Sequence, residues 1–187
     1  MNYDIFKSIN HLAGKHPFLD DIMVNVSTKA LILYALFLIM IWIFGGENHK
    51  HTVFWAGVTG VLALVVNATI AHFYFEPRPF VSHAVNVLTP HDADASFPSD
   101  HTTGAFALSF AILLSHKRIG SALVAFALLT GFSRIYVGHH YPFDVLGSII
   151  VAIVISLIVY AVRPKLEGIS GFFIRIYNKI PRPAKAT

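Results

Sequence analysis

His140 and Asp144 stand four residues apart, with Ser133 and Arg134 just ahead of them. Two further polar clusters precede them in the 187-residue chain, Glu76-Pro77-Arg78-Pro79 and Pro98-Ser99-Asp100-His101. These residue types suit the handling of a tetrahedral oxyanion. Arg78 and Arg134 offer planar forks of N–H donors that match phosphate oxygens. A spacing of four puts His140 and Asp144 on one face wherever the backbone is helical. Asp144 then accepts a hydrogen bond from one ring nitrogen of His140, fixing the tautomer and leaving the other nitrogen free to attack. His101 comes from a different segment and is the candidate to protonate a leaving oxygen and later activate water. An ordinary pKa of about 6.5 suits imidazole to both roles.

Backbone groups join this set. Ser99 occupies a helix N-cap position, followed by Thr102 and Thr103, and Pro142 occupies a first helical position. Two helix N-termini would thus face the cluster, and their free N–H groups and positive dipole ends attract anions. Other readings compete. His101, His140 and Asp144 also have the makings of a metal site, although two arginines would repel a divalent cation. Proton-transporter wiring accounts for His and Asp but not for paired arginines at helix N-termini. Arg78 and Arg134 taken singly would serve as headgroup anchors. His49, His51, His72, His83, His91 and His116 read as interfacial residues and receive no role. Asp100 is discordant, a carboxylate where an anion should bind. Either it pairs with Arg78 or Arg134 as a modulator of the site, or it caps its helix.

The elements that must position these residues are apolar helices. Hydrophobic residues make up 55% of the chain and charged residues 13%, against about 25% charged in a soluble domain. Mean hydropathy is +0.63. Lipid is the expected solvent, and the fold class is an all-α, polytopic membrane helix bundle of one domain, 1–187. Apolar stretches at about 22–44, 52–75, 102–115, 119–136 and 143–162 predict five spans. The third is short of the about 20 residues a span needs. Starting it at Ser99 lengthens it, provided its polar residues face a protein-lined cavity. The insert 76–98 contains Pro77, Pro79, Pro90 and Pro98, so it is not one helix, and a connection of that length implies a function.

At the N-terminus, Ile5, Phe6, Ile9 and Leu12 predict an amphipathic interfacial helix rather than a cleavable signal. After Arg163 an amphipathic tail, 163–187, shows Leu166, Ile169, Phe172, Phe173, Ile176 and Ile180 on one side. The net charge of +4 is scattered between apolar runs and crowds the C-terminus, which fits a membrane surface and not nucleic acid. Lys50, Lys117, Arg118, Arg163, Lys165, Arg175, Lys179, Arg182 and Lys185 fall on one side of the five-span topology. The positive-inside rule makes that side cytoplasmic and turns the three polar clusters outward. With no cysteines, disulfides and thiolate metal sites are excluded.

The three clusters resemble the tripartite signature of the type-2 phosphatidic acid phosphatase superfamily. Arg78-Pro79 fits its first part and Pro98-Ser99-Asp100-His101 its Pro-Ser-Gly-His. Ser133-Arg134, five residues, His140, three residues and Asp144 fit the third. The motifs cover about 71–144 and the span pattern nearly the whole chain. Two departures stand out. Ala71 occupies the position of a signature lysine, and Asp100 that of a glycine. Both departures, with Glu-Pro-Arg-Pro-Phe and Phe-Pro-Ser-Asp-His-Thr-Thr-Gly, resemble the bacitracin-resistance branch of undecaprenyl-diphosphate phosphatases of bacterial cell envelopes. That resemblance implies His140 as nucleophile through a phosphohistidine, Asp144 as its partner, and His101 as acid. It further implies Arg78, Ser99 and Arg134 as phosphate ligands, no metal or other cofactor, and a polyprenyl diphosphate substrate at the outer face of the plasma membrane. Phosphatases of other lipids, such as phosphatidylglycerophosphate or phosphatidic acid, share the signature. A proton-coupled transporter or efflux protein is the alternative of a different class. Vanadium haloperoxidases share the core but are soluble.

Overall fold

The computed structural model describes residues 1–179, which contain helices and no strand beyond one isolated bridge, Pro77 to Ala95. In chain order the helices are α1 (Asn2–Asn10), α2 (Pro17–Phe44), α3 (Glu47–Phe73), α4 (Pro79–Ser82), α5 (Asp100–Leu113), α6 (Lys117–Tyr136) and α7 (Pro142–Val162). A 3-10 turn (Arg163–Leu166) then leads to α8 (Glu167–Asn178). Ile180, Arg182 and Lys185 of the expected amphipathic tail lie outside the described residues. Proline fixes three helix starts, since Pro17, Pro79 and Pro142 lack the N–H that a first helical residue would leave unpaired. Ser99 is the N-cap of α5, its hydroxyl accepting from Thr102 N–H.

Among the described residues, four helices are long and apolar enough to cross a membrane: Pro17–Phe44, Glu47–Phe73, Lys117–Tyr136 and the continuous stretch Pro142–Asn178. The expected third span does not meet that length. With 14 residues, α5 is about 21 Å long. It packs against α2, α3, α6 and α7, and Thr102, Thr103, Gly104, Ala105, Phe106, Ala107, Ser109 and Ile112 are all buried. A helix sheathed in protein need not match the hydrocarbon thickness, because its polar ends are met by neighbouring helices. Small residues at the contacts let those neighbours approach. Ala105 and Ala107 meet Ala63 of α3, Ala127 of α6 and Ala152 of α7 in one core. Tyr34 of α2 ties the same core with its hydroxyl, 2.9 Å from Ser109 Oγ and donating to Leu123 O at 2.6 Å. Large apolar side chains such as Ile39, Val65, Ile150 and Leu157 point outward.

The terminal helices differ in what covers them. The apolar face of α1 docks onto protein. Phe6 is fully buried beside Ile135 and Tyr141, and Ile9 and Leu12 pack on Tyr136 and Val137. By contrast α8 leaves Ile169, Phe172, Phe173 and Ile176 exposed, while Ser170 and Ile174 are buried.

Where α5 hands over to α6, Gly120 lies so close to the preceding helix that a Cβ there would sit 2.2 Å from Leu113 Cα and 2.5 Å from Leu113 N. Backbone cannot yield as a side chain does, so Gly120→Ala should lower the unfolding midpoint, with overpacking costing about 1–3 kcal/mol or more. Gly57→Ala, with nothing within 4 Å, should match or exceed wild type because alanine favours helix by up to about 1 kcal/mol. Thermal unfolding of both variants in detergent checks the pair, and equal midpoints would contradict the close α5–α6 crossing.

Candidate active site

Three backbone segments converge at the N-terminus of α5. After α3 the chain runs extended through Glu76 to Arg78, held by Ser96 N–H donating to Glu76 O at 2.8 Å. The second segment, 94–99, enters α5. The third is the turn between α6 and α7, in which the N–H groups of His139 and His140 both donate to Arg134 O, at 3.1 and 3.2 Å. That turn requires Gly138. Its φ of +91° is left-handed, and a Cβ would lie 2.4 Å from Asn86 O. Asn10 of α1 fixes the same turn, donating to Asn86 O at 2.7 Å and Tyr136 O at 2.9 Å.

His140 is 2% exposed. Its Nδ1 lies 2.8 Å from Ser96 O, and its Nε2 lies 3.0 Å from Arg78 Nη1. A guanidinium only donates and a carbonyl only accepts. Nδ1 therefore carries the proton, and Nε2 presents its lone pair. Burial first, then the charges of Arg134 and Arg78, hold the imidazole well below its ordinary pKa, so it is neutral. The expected direct hydrogen bond to Asp144 is not formed. Asp144 Oδ2 is 3.4 Å from Nδ1, and it accepts instead from Ser96 Oγ at 2.5 Å and Tyr141 N at 2.8 Å. Ser96 thus mediates the pairing: its carbonyl orients His140 and its hydroxyl engages Asp144.

Both arginines are buried, Arg78 at 4% and Arg134 at 2% exposure. Arg78 Nη1 also donates to His139 O at 3.1 Å, and Nε donates to Asp94 Oδ1 at 2.7 Å. Arg134 Nη1 donates to Ser27 Oγ at 2.9 Å and Ser27 O at 3.3 Å. Its Nε and Nη2 have no partner among the described residues. Buried donors are nearly always satisfied, and that open edge is chemically suited to the oxygens of an anion. Ser99 is fully buried. Its N–H donates to Ser148 Oγ at 2.8 Å and its Oγ accepts from Thr102 Oγ1 at 3.0 Å. His101, in the first turn of α5, is half-buried, with Arg134, His91 and Arg78 as its charged neighbours.

Asp100 neither forms the cap nor pairs directly with an arginine, although it lies in the first turn of α5 and its charge acts on Arg134. Ser99 provides the cap, and the Asp100 carboxylate accepts from Asn67 Nδ2 at 2.6 Å. Among the described residues the ion pair to Arg78 comes from Asp94. Asn67, buried in α3, also donates to Pro98 O at 3.1 Å and accepts from Thr103 Oγ1 at 3.0 Å. One amide therefore pins the N-terminus of α5, and it lies one helical turn before Ala71. Sequence spacing carried no signal for Asn67 or Ser148, single polar residues in apolar helices, nor for Ser96 in the polar insert. His91, Asp94 and His139 were signalled only by the length of the insert and by adjacency to His140. His91 lies 4.7 Å from the His139 ring and 6.4 Å from that of His140. Burial pushes His139 down to about 3, with Arg134 adding to the effect. Among the described residues no three His, Asp or Glu side chains are grouped to hold a metal ion.

The pattern of the PAP2 superfamily matches residues 52–167. The chain belongs to the PAP2 superfamily. It is 52% identical to the undecaprenyl-diphosphatase BcrC of Bacillus subtilis, over 96% of this chain and 93% of that one. The crystal structure of Aquifex aeolicus LpxE superposes with a TM-score of 0.70 at 31% identity, covering 86% of this chain and 94% of that one. A transmembrane PAP2-type phosphatidylglycerolphosphate phosphatase from Bacillus subtilis shares the fold, with a TM-score of 0.60 at 19% identity over 88% and 85% of the two chains. With its long apolar helices, this PAP2 protein is a multi-pass membrane protein. The PAP2 pattern spans all three converging segments, while Ser27 of α2, which holds Arg134, and Asn10 of α1, which holds the α6–α7 turn, lie outside it.

Asp94 is 62% exposed. Although its partial burial opposes ionisation, the hydrogen bond and charge of Arg78 hold its carboxyl below the usual range. It therefore competes as an anion for the Arg78 edge. In Asp94→Asn, affinity for inorganic phosphate should rise about two- to fivefold, since an exposed pair is worth at most about 1 kcal/mol. Calorimetric titration of the purified protein checks this. Weaker phosphate binding would mean that Asp94 aims Arg78 rather than shielding it.

Proposed function

We propose that this protein hydrolyses undecaprenyl diphosphate to undecaprenyl phosphate and inorganic phosphate, recycling a cell-wall lipid carrier and thereby conferring resistance to bacitracin. The observation that carries the reading is the neutral His140, with its Nε2 lone pair facing Arg78, beside the unpartnered edge of Arg134. The 52% identity to an undecaprenyl-diphosphatase over nearly the full length of both chains supports the choice of substrate.

In the first step the terminal phosphoryl group lies against Arg134, Arg78 and the free N–H groups at the start of α5, displacing Asp94. Nε2 of His140 attacks phosphorus, and the bond to the bridging oxygen breaks. His101 gives that oxygen its proton, and the polyprenyl phosphate leaves. In the second step His101, now neutral, takes a proton from water as the water attacks the phosphohistidine. Phosphate departs and Nε2 is restored. Asp144 and Ser96 keep the proton on Nδ1 and balance the positive charge the ring acquires. Every step uses side chains of this protein, without a metal or other cofactor. His140→Ala should abolish phosphate release by folded, purified protein, and loss of His101 should slow it about 10²–10⁴-fold. A panel of polyprenyl and glycerolipid phosphates, with and without chelator and with no ion gradient, identifies the preferred substrate. Release by His140→Ala at the wild-type rate would refute the nucleophile. A protein that releases phosphate from none of the panel would be a transporter instead.

The active site faces outward across the bacterial plasma membrane in this reading. Support comes from the basic residues Lys50, Lys117, Arg118, Arg163 and Lys165, which border the starts of α3 and α6 and the end of α7, away from His101 and His140. The chain lacks cysteine, so introduced thiols report sidedness. Ser82→Cys, exposed beside the site, should react with an impermeant maleimide in intact cells. Arg118→Cys, exposed at the far end, should react only after permeabilisation. The reverse pattern would put hydrolysis in the cytoplasm.

A further inference from the structure

A second polar cavity, of about 460 Å³, lies at the end of the bundle remote from His140. The 14-residue helix α5 separates the two: its first turn borders the catalytic site, and Leu114 to His116, just past its last, border the cavity. Asn48, His51, Thr52, His116, Arg163 and Glu167 supply its polar lining. None of these residues takes part in the chemistry proposed above.

The cationic side chains are held before any ligand arrives. Arg163 Nη1 donates to Ser115 Oγ at 2.7 Å, and the guanidinium lies 4.1 Å over the ring of Tyr160. Among the described residues Arg163 has no ion-pair partner. Both histidines are locked by hydroxyls whose single hydrogen is already committed. Thr52 Oγ1 donates to Asn48 O at 3.1 Å, so it accepts from His116 Nε2, also at 3.1 Å. Ser170 Oγ donates to Glu167 O at 3.0 Å, so it accepts from His51 Nδ1 at 2.8 Å. His116 is left with Nδ1 and His51 with Nε2 for a ligand. His49 stacks on His116 at 4.8 Å with ring planes 5° apart, fixing its orientation.

We propose that this cavity is a second phosphate-binding site, for the headgroup of a membrane phospholipid or for free phosphate. Arg163 is its permanent positive charge. A neutral His51 or His116 accepts the hydrogen of a P–OH or headgroup hydroxyl, and the protonated ring donates to a phosphate oxygen. Glu167 selects further. It repels anions without a donor and accepts from a headgroup hydroxyl or ammonium. The setting matches a headgroup, because Trp55 and Tyr160 line the cavity as aromatic residues do at membrane interfaces. Close by, α8 turns Phe172 and Phe173 outward.

Asn48 is exposed and lines the cavity, and the chain has no cysteine of its own, so Asn48→Cys gives a reporter confined to this site. Its alkylation by N-ethylmaleimide is followed in detergent with and without millimolar inorganic phosphate, and in nanodiscs of phosphatidylglycerol. A bound ligand should slow alkylation by the factor 1 + [L]/Kd, about fivefold when the ligand is at about four times its Kd. Protection by inorganic phosphate in detergent identifies the small anion as sufficient. Protection only in nanodiscs identifies the lipid headgroup. Adding Arg163→Gln should abolish protection, and Arg163→Lys should retain part of it, with unfolding midpoints showing that both variants are folded. Alkylation unaffected by either ligand, or protection that survives Arg163→Gln in full, would overturn the proposal.

Discussion

Two guanidinium groups buried in one recess are the constraint on which the rest of the structure depends. Arg78 and Arg134 are 4% and 2% exposed, and an uncompensated buried charge costs several kcal/mol. Much of the surrounding architecture consists of acceptors brought to them. Ser27 reaches Arg134 from α2, the carbonyl of His139 reaches Arg78 from the α6–α7 turn, and Asp94 reaches Arg78 from the long insert. Among the described residues the buried Nε and Nη2 edge of Arg134 is left without a partner. A site that fully satisfied its arginines would have no affinity left for phosphate.

The same field sets the state of the histidines. Burial and positive charge together disfavour imidazolium in the 139–140 turn, so His140 is held neutral without needing a carboxylate to remove its proton. Asp144 then acts on His140 through Ser96 rather than by the direct hydrogen bond its spacing implies. It closes the start of α7 by accepting from Tyr141 N–H, and it holds Ser96, whose carbonyl sets the tautomer of His140. Glu76 sits close enough to feel this carboxylate, and burial with Asp144's charge raises its own pKa. Asp144 thus lies on the Nδ1 side of the imidazole and Arg78 on the Nε2 side.

Much of this was legible in the chain because membrane helices write long signals. Apolar runs located α2, α3, α6 and α7 to within a few residues, and Ser99 and Pro142 marked the helix starts they cap or begin. The order of spans was enough to bring Arg78, Ser99, His101, Arg134, His140 and Asp144 to one end. What the sequence concealed was whatever depends on distance through space. Nothing in the spacing of Asn67 shows that it reaches Pro98, Asp100 and Thr103, so the pairing of Asp100 could not be read. Nor does i, i+4 spacing reveal that a serine 48 residues from Asp144 intervenes between it and His140. The docking of α1 was hidden for a similar reason, since an amphipathic stripe looks the same whether lipid or protein covers it.

The shortness of α5 joins these observations. Its neighbours α2 and α3 have 28 and 27 residues and extend past it, so the N-terminus of α5 lies below the rim of the bundle. A helix of full spanning length would carry its free N–H groups to the surface, where water competes with any anion. Stopping short buries Ser99 completely and keeps the positive end of the helix inside the protein. The non-helical residues 83–98 reach that end. Thr89 is 2.9 Å from His139 Nε2 through its carbonyl, and Asp94 pairs with Arg78. The long insert that sequence alone could only call unusual is therefore the complement of the short helix. The short helix ends among buried polar groups, and the insert brings the Asp94 carboxylate to Arg78 beside them.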